Sequence, residues 1–153
     1  MSISKNIAGL EGRWNGINEF YTPGNGELPS ESPSEATVRT VVAGKFIEIA
    51  YTWIFEGQPQ EGSIILGCDP ASTAVQAVWT DSWHMSDRLM LCDGTIAHDG
   101  TISVVGSHGG GSGREAKFGI EITAVGETFT IRMFDISPTG VKQMAVETVY
   151  SRV

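Results

Sequence analysis

Two tryptophans, an aspartate, a serine and a histidine fall within six consecutive residues, Trp79-Thr80-Asp81-Ser82-Trp83-His84. A carboxylate and an imidazole this close could share acid–base work on a substrate. Asp81 and His84 are an odd number of positions apart, however, and on a continuous strand such side chains face opposite sides. They could act together only if the strand ended between them, and Ser86-Asp87 does read as a turn. Trp79, Asp81 and Trp83 fall on one strand face instead. Two aromatic surfaces flanking one carboxylate suit a pocket wall with a single polar anchor. The plainer alternative is a core Trp79, a rim Asp81 and a partly exposed Trp83.

Other chemistries find little support. The histidines are His84, His98 and His108, without the close spacing of a zinc motif, and no Cys-x-x-Cys occurs, so no metal is expected. His98 precedes Asp99-Gly100 and reads as a turn residue. The run from His108 to Glu115, HGGGSGRE, lacks the order of a phosphate-binding loop and no helix follows it. It reads as a loop between strands, with a loop over a barrel mouth as the alternative. No Gly-x-Ser-x-Gly elbow is present. Cys68 and Cys92 sit in apolar, strand-like contexts and are expected as reduced, buried thiols.

The chain has 153 residues, a length that suits one domain, expected over 1–153. Its formal net charge of −8 repels phosphate, so neither nucleic acid nor an anionic membrane surface is expected as a partner. No stretch reaches the roughly 18 apolar residues that span a bilayer. The N-terminus lacks an apolar run of signal-peptide length, which makes the cytoplasm the expected location.

The elements that must carry these residues are strands. Short runs rich in Val, Ile, Thr and aromatics recur along the chain, bounded by Gly, Pro or Asp. GRWNGINEFY opens the series and PGNGELPSESPSE reads as a long polar loop. Ala43-Gly44, Asp69-Pro70-Ala71-Ser72, Asp93-Gly94, Asp99-Gly100, Gly126-Glu127 and Pro138-Thr139-Gly140 read as turns. The spacing predicts an all-β protein of about ten antiparallel strands, closed into an up-and-down barrel because closure removes sheet edges. The first ten residues could hold a short helical turn.

In KFIEIAYTWIF, Ile47, Ile49, Tyr51, Trp53 and Phe55 form one face, and Phe46, Glu48, Ala50, Thr52 and Ile54 the other. Neither is cleanly polar, so the strand is covered on both sides or by a second subunit. Arg39, Glu48, Arg132 and Glu147 lie on mixed faces. They either pair across strands at the surface or line a cavity and orient a ligand.

Four stretches, in order, resemble a bacterial domain-of-unknown-function family of calycin-like, lipocalin-like barrels. LEGRWNG is similar to the calycin opening. AGKFIEIAYTW resembles the family's Gly-Arg-Phe-Leu strand, GCDPASTAVQAVWTDS its Gly-Tyr-Asp and Trp-x-Asp-Ser segment, and ETVYSRV its closing strand. The resemblance implies that Trp14 plugs the barrel base and that Trp79, Asp81 and Ser82 form the central motif. It also implies frequent dimers and no assigned reaction. Cys68 departs from the family's tyrosine, and Trp83-His84 lie outside its pattern. Haem-binding barrels of the nitrobindin type share the opening but use a histidine near the C-terminus; VKQMAVETVYSRV has none, and no cofactor is expected.

The leading expectation is a barrel that binds a small apolar molecule in its interior and forms a homodimer. Trp79, Trp83, His84, Tyr51, Trp53 and Met133 would supply contact, with Asp81, Glu48 or Arg132 as polar anchors. Whether it is an enzyme stays open. One alternative is an isomerase or lyase for a hydrophobic substrate using Asp81, Glu48 or His84. Another is a ligand-free module using Phe46–Phe55 as a subunit interface.

Overall fold

A computed structural model describes residues 5–22, 28–107 and 117–153. A one-turn helix, α1 (Lys5–Ala8), precedes ten strands: β1 (Gly12–Phe20), β2 (Ser30–Val41), β3 (Phe46–Phe55), β4 (Gln58–Cys68), β5 (Ala74–Asp81), β6 (Met90–Ile96), β7 (Ile102–Ser107), β8 (Lys117–Val125), β9 (Thr128–Ile136) and β10 (Lys142–Arg152). Each strand pairs antiparallel with its sequence neighbours, and β1 pairs with β10, closing an up-and-down barrel. No helix among the described residues is long and apolar enough to cross a membrane.

Alternation sorts the side chains. In β3, Ile47, Ile49, Tyr51 and Trp53 point inward and are buried, while Phe46, Ala50, Thr52 and Ile54 are exposed. The ambiguous two-sided strand therefore has one core face and one apolar outer face. Ile64, Leu66, Val75, Ala77, Trp79, Met90, Ile120, Ile122, Phe129, Ile131 and Met133 complete the interior.

Two turn readings differ from the fold. Ser30–Glu35, read as loop, is the first half of β2 and pairs with β1 from Phe20 to Asn15. Tertiary pairing outweighs its low strand propensity. Its inward serines are buried and bonded, Ser34 Oγ to the Tyr150 hydroxyl at 2.8 Å and Ser32 Oγ accepting from Ile54 N at 3.1 Å. Asp93-Gly94 lies inside β6, where the two residues pair with Val105 and Val104 of β7. A Cβ at Gly94 would meet Ser103 O at 1.8 Å, so the glycine permits close strand approach and makes no turn. The remaining turns form as read: Asp69 Oδ1 accepts from Ala71 N at 2.8 Å, and Asp99 Oδ1 from Thr101 N at 2.9 Å.

One barrel end is sealed by the chain itself. Trp14 is 1% exposed. Its indole Nε1 donates to Leu10 O at 2.8 Å, and its ring meets Phe129 edge-on at 4.8 Å. Arg152 lies over the outer ring face with its guanidinium 4.2 Å from the centroid. That guanidinium also donates to Glu11 O and Gly9 O, at 2.9 and 2.8 Å. Gly12 has a φ of +139°, a conformation that other residues rarely adopt, which explains a glycine there.

Candidate functional site

The other end is built around the stretch with the most chemistry. β5 stops at Asp81, and residues 82–87 turn across the barrel mouth. Met85 N donates to Asp81 O at 2.9 Å, closing the first turn. Asp81 is 2% exposed. Its Oδ1 accepts from Trp83 N at 2.9 Å and His84 N at 3.1 Å. Its Oδ2 accepts from the Tyr51 hydroxyl at 2.7 Å and Trp53 Nε1 at 3.1 Å. Trp79 Nε1 in turn donates to the Tyr51 hydroxyl at 3.0 Å. Four donors offset the cost of burying the carboxylate.

Gly62 explains how Tyr51 reaches Asp81. It is the register partner of both, on β4 between β3 and β5. A Cβ there would sit 2.1 Å from Tyr51 Cζ, so the phenol crosses through space that only a glycine leaves open. Burial holds the Tyr51 phenol well above its ordinary range, with the Asp81 charge adding to the effect. Tyr51 therefore stays a neutral donor.

The strand end corrects two expectations. Trp83 is not on the Trp79–Asp81 strand face; it lies in the turn and is 42% exposed. Asp81 and His84 are not held apart, because the chain reverses after Asp81 and brings the His84 backbone onto its carboxylate. The His84 ring then sits among aromatics: stacked on Trp53 at 5.5 Å, edge-on to Trp83 at 4.8 Å and Phe20 at 5.4 Å, and tilted to Trp79 at 5.6 Å and Phe118 at 6.2 Å.

Glu48 and Arg132 do not enter the barrel. Both lie on outward faces: Arg39 Nε donates to Glu48 at 2.7 Å and Arg132 Nε to Glu147 at 2.6 Å, pairing neighbouring strands. Met133 does point inward. Below His84 the space among Asn18, Tyr51, Trp53, Asp81, Met133, Thr148 and Tyr150 is about 10 Å³. That is room for about one water, so the deep interior is packed by side chains.

Open volume lies above the histidine. A cavity of about 270 Å³ at the mouth is lined by Phe20, Tyr21, Trp79, Trp83, His84, Met85, Phe118, Asp135 and Ala145. Trp79 and Phe118 stack nearly parallel at 4.9 Å. Phe20 meets Trp83 edge-on at 4.9 Å. Phe20, Phe118, Met85 and Asp135 were not among the residues expected at a site. The available signal was parity: Asp135 continues the inward row Phe129, Ile131, Met133 of β9 to the rim, where it is exposed. The glycine-rich stretch 108–116, read as a loop, lies outside the described residues. Among the described residues, no three His, Cys, Asp or Glu side chains converge as a metal site; Cys68 and Cys92 form no disulfide, and Cys92 is buried as expected while Cys68 is only half-buried.

Residues 4–152 match the model of a family described as protein of unknown function (DUF1579). No curated protein matches. The crystal structure of Rv2717c from M. tuberculosis is similar with a TM-score of 0.67 at 16% identity, covering 99% of both chains. At that identity the likeness is one of fold.

Proposed function

Because this chain belongs to the DUF1579 family of proteins of unknown function, its role has to come from its own geometry, and we propose that it is a binding protein for a small apolar molecule held at the barrel mouth. The observation that carries this reading is the 270 Å³ cavity walled by Phe20, Trp79, Trp83, Met85 and Phe118. That volume suits a ligand of one or two rings, which buries apolar surface at ~25 cal/mol per Å². The Asp81 network forms the floor. Both oxygens of Asp81 are engaged by donors, an arrangement that fixes the turn rather than leaving a base free. This favours binding over isomerase or lyase chemistry.

Indole N–H resonances test the reading. On titration with tert-butylbenzene, the Nε1–H signals of Trp79 and Trp83 should shift saturably while that of Trp14, at the sealed end, stays fixed. A response at Trp14 instead, or no saturable response, would sink the proposal.

A homodimer is a second proposal, favoured by one outer row. Ile65, Val78 and Leu91 are direct register partners across β4, β5 and β6 and point outward. In a chain of net charge −8, this uncharged row lets two copies meet with little repulsion. Sedimentation should show a dimer for the native chain and a monomer for Leu91→Glu; a native monomer would refute it.

A further inference from the structure

The mouth cavity has a sign as well as a shape. Its walls present the rings of Phe20, Tyr21, Trp79, Trp83, His84 and Phe118, and no lysine or arginine is among its described lining residues. Asp135 is the carboxylate at its rim. On the outer surface of β2, β1 and β10, Glu31, Glu19 and Glu147 are direct cross-strand neighbours. Like charges so placed repel, and a fold keeps them at a cost unless something offsets it. Arg132 pairs with Glu147, but none of the three ion pairs among the described residues involves Glu19 or Glu31. Burial first, then Glu19, Glu147 and Glu31, raise the phenol of Tyr21, a residue that lines the cavity.

Resting on the mouth-cavity reading above, we propose that the preferred ligand is an organic cation, a tertiary or quaternary ammonium carrying an apolar group, with its charge against the aromatic walls and toward Asp135. Ring faces attract a cation through their quadrupoles, most strongly where water is excluded, and tryptophan does so best. A negative surface adds long-range steering. A neutral ligand would use the same area without either contribution, and an anion would be opposed by both.

The sealed end offers an internal precedent. There the face of Trp14 is covered by a cation of the chain itself, the Arg152 guanidinium at 4.2 Å. At the mouth, no lysine or arginine is among the described lining residues, and Trp79 and Trp83 border open volume.

Isothermal titration with three probes of similar size tests the inference: phenyltrimethylammonium, its neutral isostere tert-butylbenzene, and benzoate. The cation should bind about 10-fold more tightly than the neutral isostere, with benzoate weakest. Asp135→Asn should reduce the cation's advantage over tert-butylbenzene several-fold, and raising the salt should shrink the same advantage. Equal affinity for cation and isostere, or tighter binding of benzoate, would overturn the charge preference and leave the cavity reading standing. Binding of none of the three would overturn both.

Discussion

The two ends of this barrel use the same residue types to opposite effect. At the base, Trp14 is buried, its N–H is bonded to Leu10 O, its ring meets Phe129 edge-on and a ring face lies under Arg152. Every surface of that indole is occupied by the chain. At the mouth, Trp83 sits in a turn fixed by Asp81, meets Phe20 and His84 edge-on, and remains 42% exposed beside open volume. An aromatic cluster thus closes an end or borders open volume according to whether the chain fills its last face. Composition alone does not separate the two.

The contrast predicts where substitutions hurt and which property they change. Trp14→Ala should cost about 3–5 kcal/mol, the range for removing a fully buried large aromatic, measured by urea denaturation. A loss no larger than that at Trp83 would break the comparison. Alkali probes the layer between the ends. Burial pushes the Tyr150 phenol up to about 12, whereas unfolded tyrosine titrates near 10. The folded value is the raised one, so its stabilisation is complete below about pH 10 and is lost as pH rises toward about 12, by an amount of order 2–3 kcal/mol. Denaturation midpoints between pH 8 and 12 should fall accordingly, and less steeply in Tyr150→Phe. The Cys92 thiol, raised to about 11 chiefly by burial, adds loss over a lower window starting near 9.

Arg152→Gln should cost about 1–2 kcal/mol, because it removes a cation over a ring and two charge-assisted hydrogen bonds near the surface. A cost indistinguishable from zero would show that the base is sealed by Trp14 without its cap. Trp83→Leu should have the smallest effect on stability, about 0.5 kcal/mol as for other exposed positions, yet it should weaken binding of phenyltrimethylammonium measurably by titration. If Trp83→Leu destabilised the protein as much as Trp14→Ala while sparing binding, the assignment of the two ends would be reversed.

Much of the fold is legible in the sequence because strand alternation is a local signal. Ile47, Ile49, Tyr51 and Trp53 share a face by parity alone, and the turns at Asp69-Pro70 and Asp99-Gly100 announce themselves by side-chain chemistry. The family resemblance rests on motifs such as LEGRWNG and AVWTDS that keep their order. The site is less legible because it depends on non-local facts. Ser30–Glu35 is a strand only because β1 lies beside it. Glu48 and Arg132 sit outside because the inner face is already set by their neighbours. The end of β5 at Asp81 reverses the expected relation of Asp81 to His84, and a shift of one or two residues in that boundary would have changed it again. Phe20, Phe118 and Asp135 come from three strands far apart in sequence, and the barrel curvature alone gathers them.

Barrel closure itself bears on how the protein is made. The seam joins the first strand to the last, and Arg152 reaches Glu11 across 141 positions of chain. Contacts of such separation are the slowest to find in folding, and synthesis delivers the N-terminal strand first. Until β10 leaves the ribosome, β1 has an unpaired edge, and Trp14 lacks the arginine that covers it. The growing chain is a curved sheet with two adhesive borders until β10 arrives, so nascent chains stalled before Lys142 should be the species most prone to pair with one another.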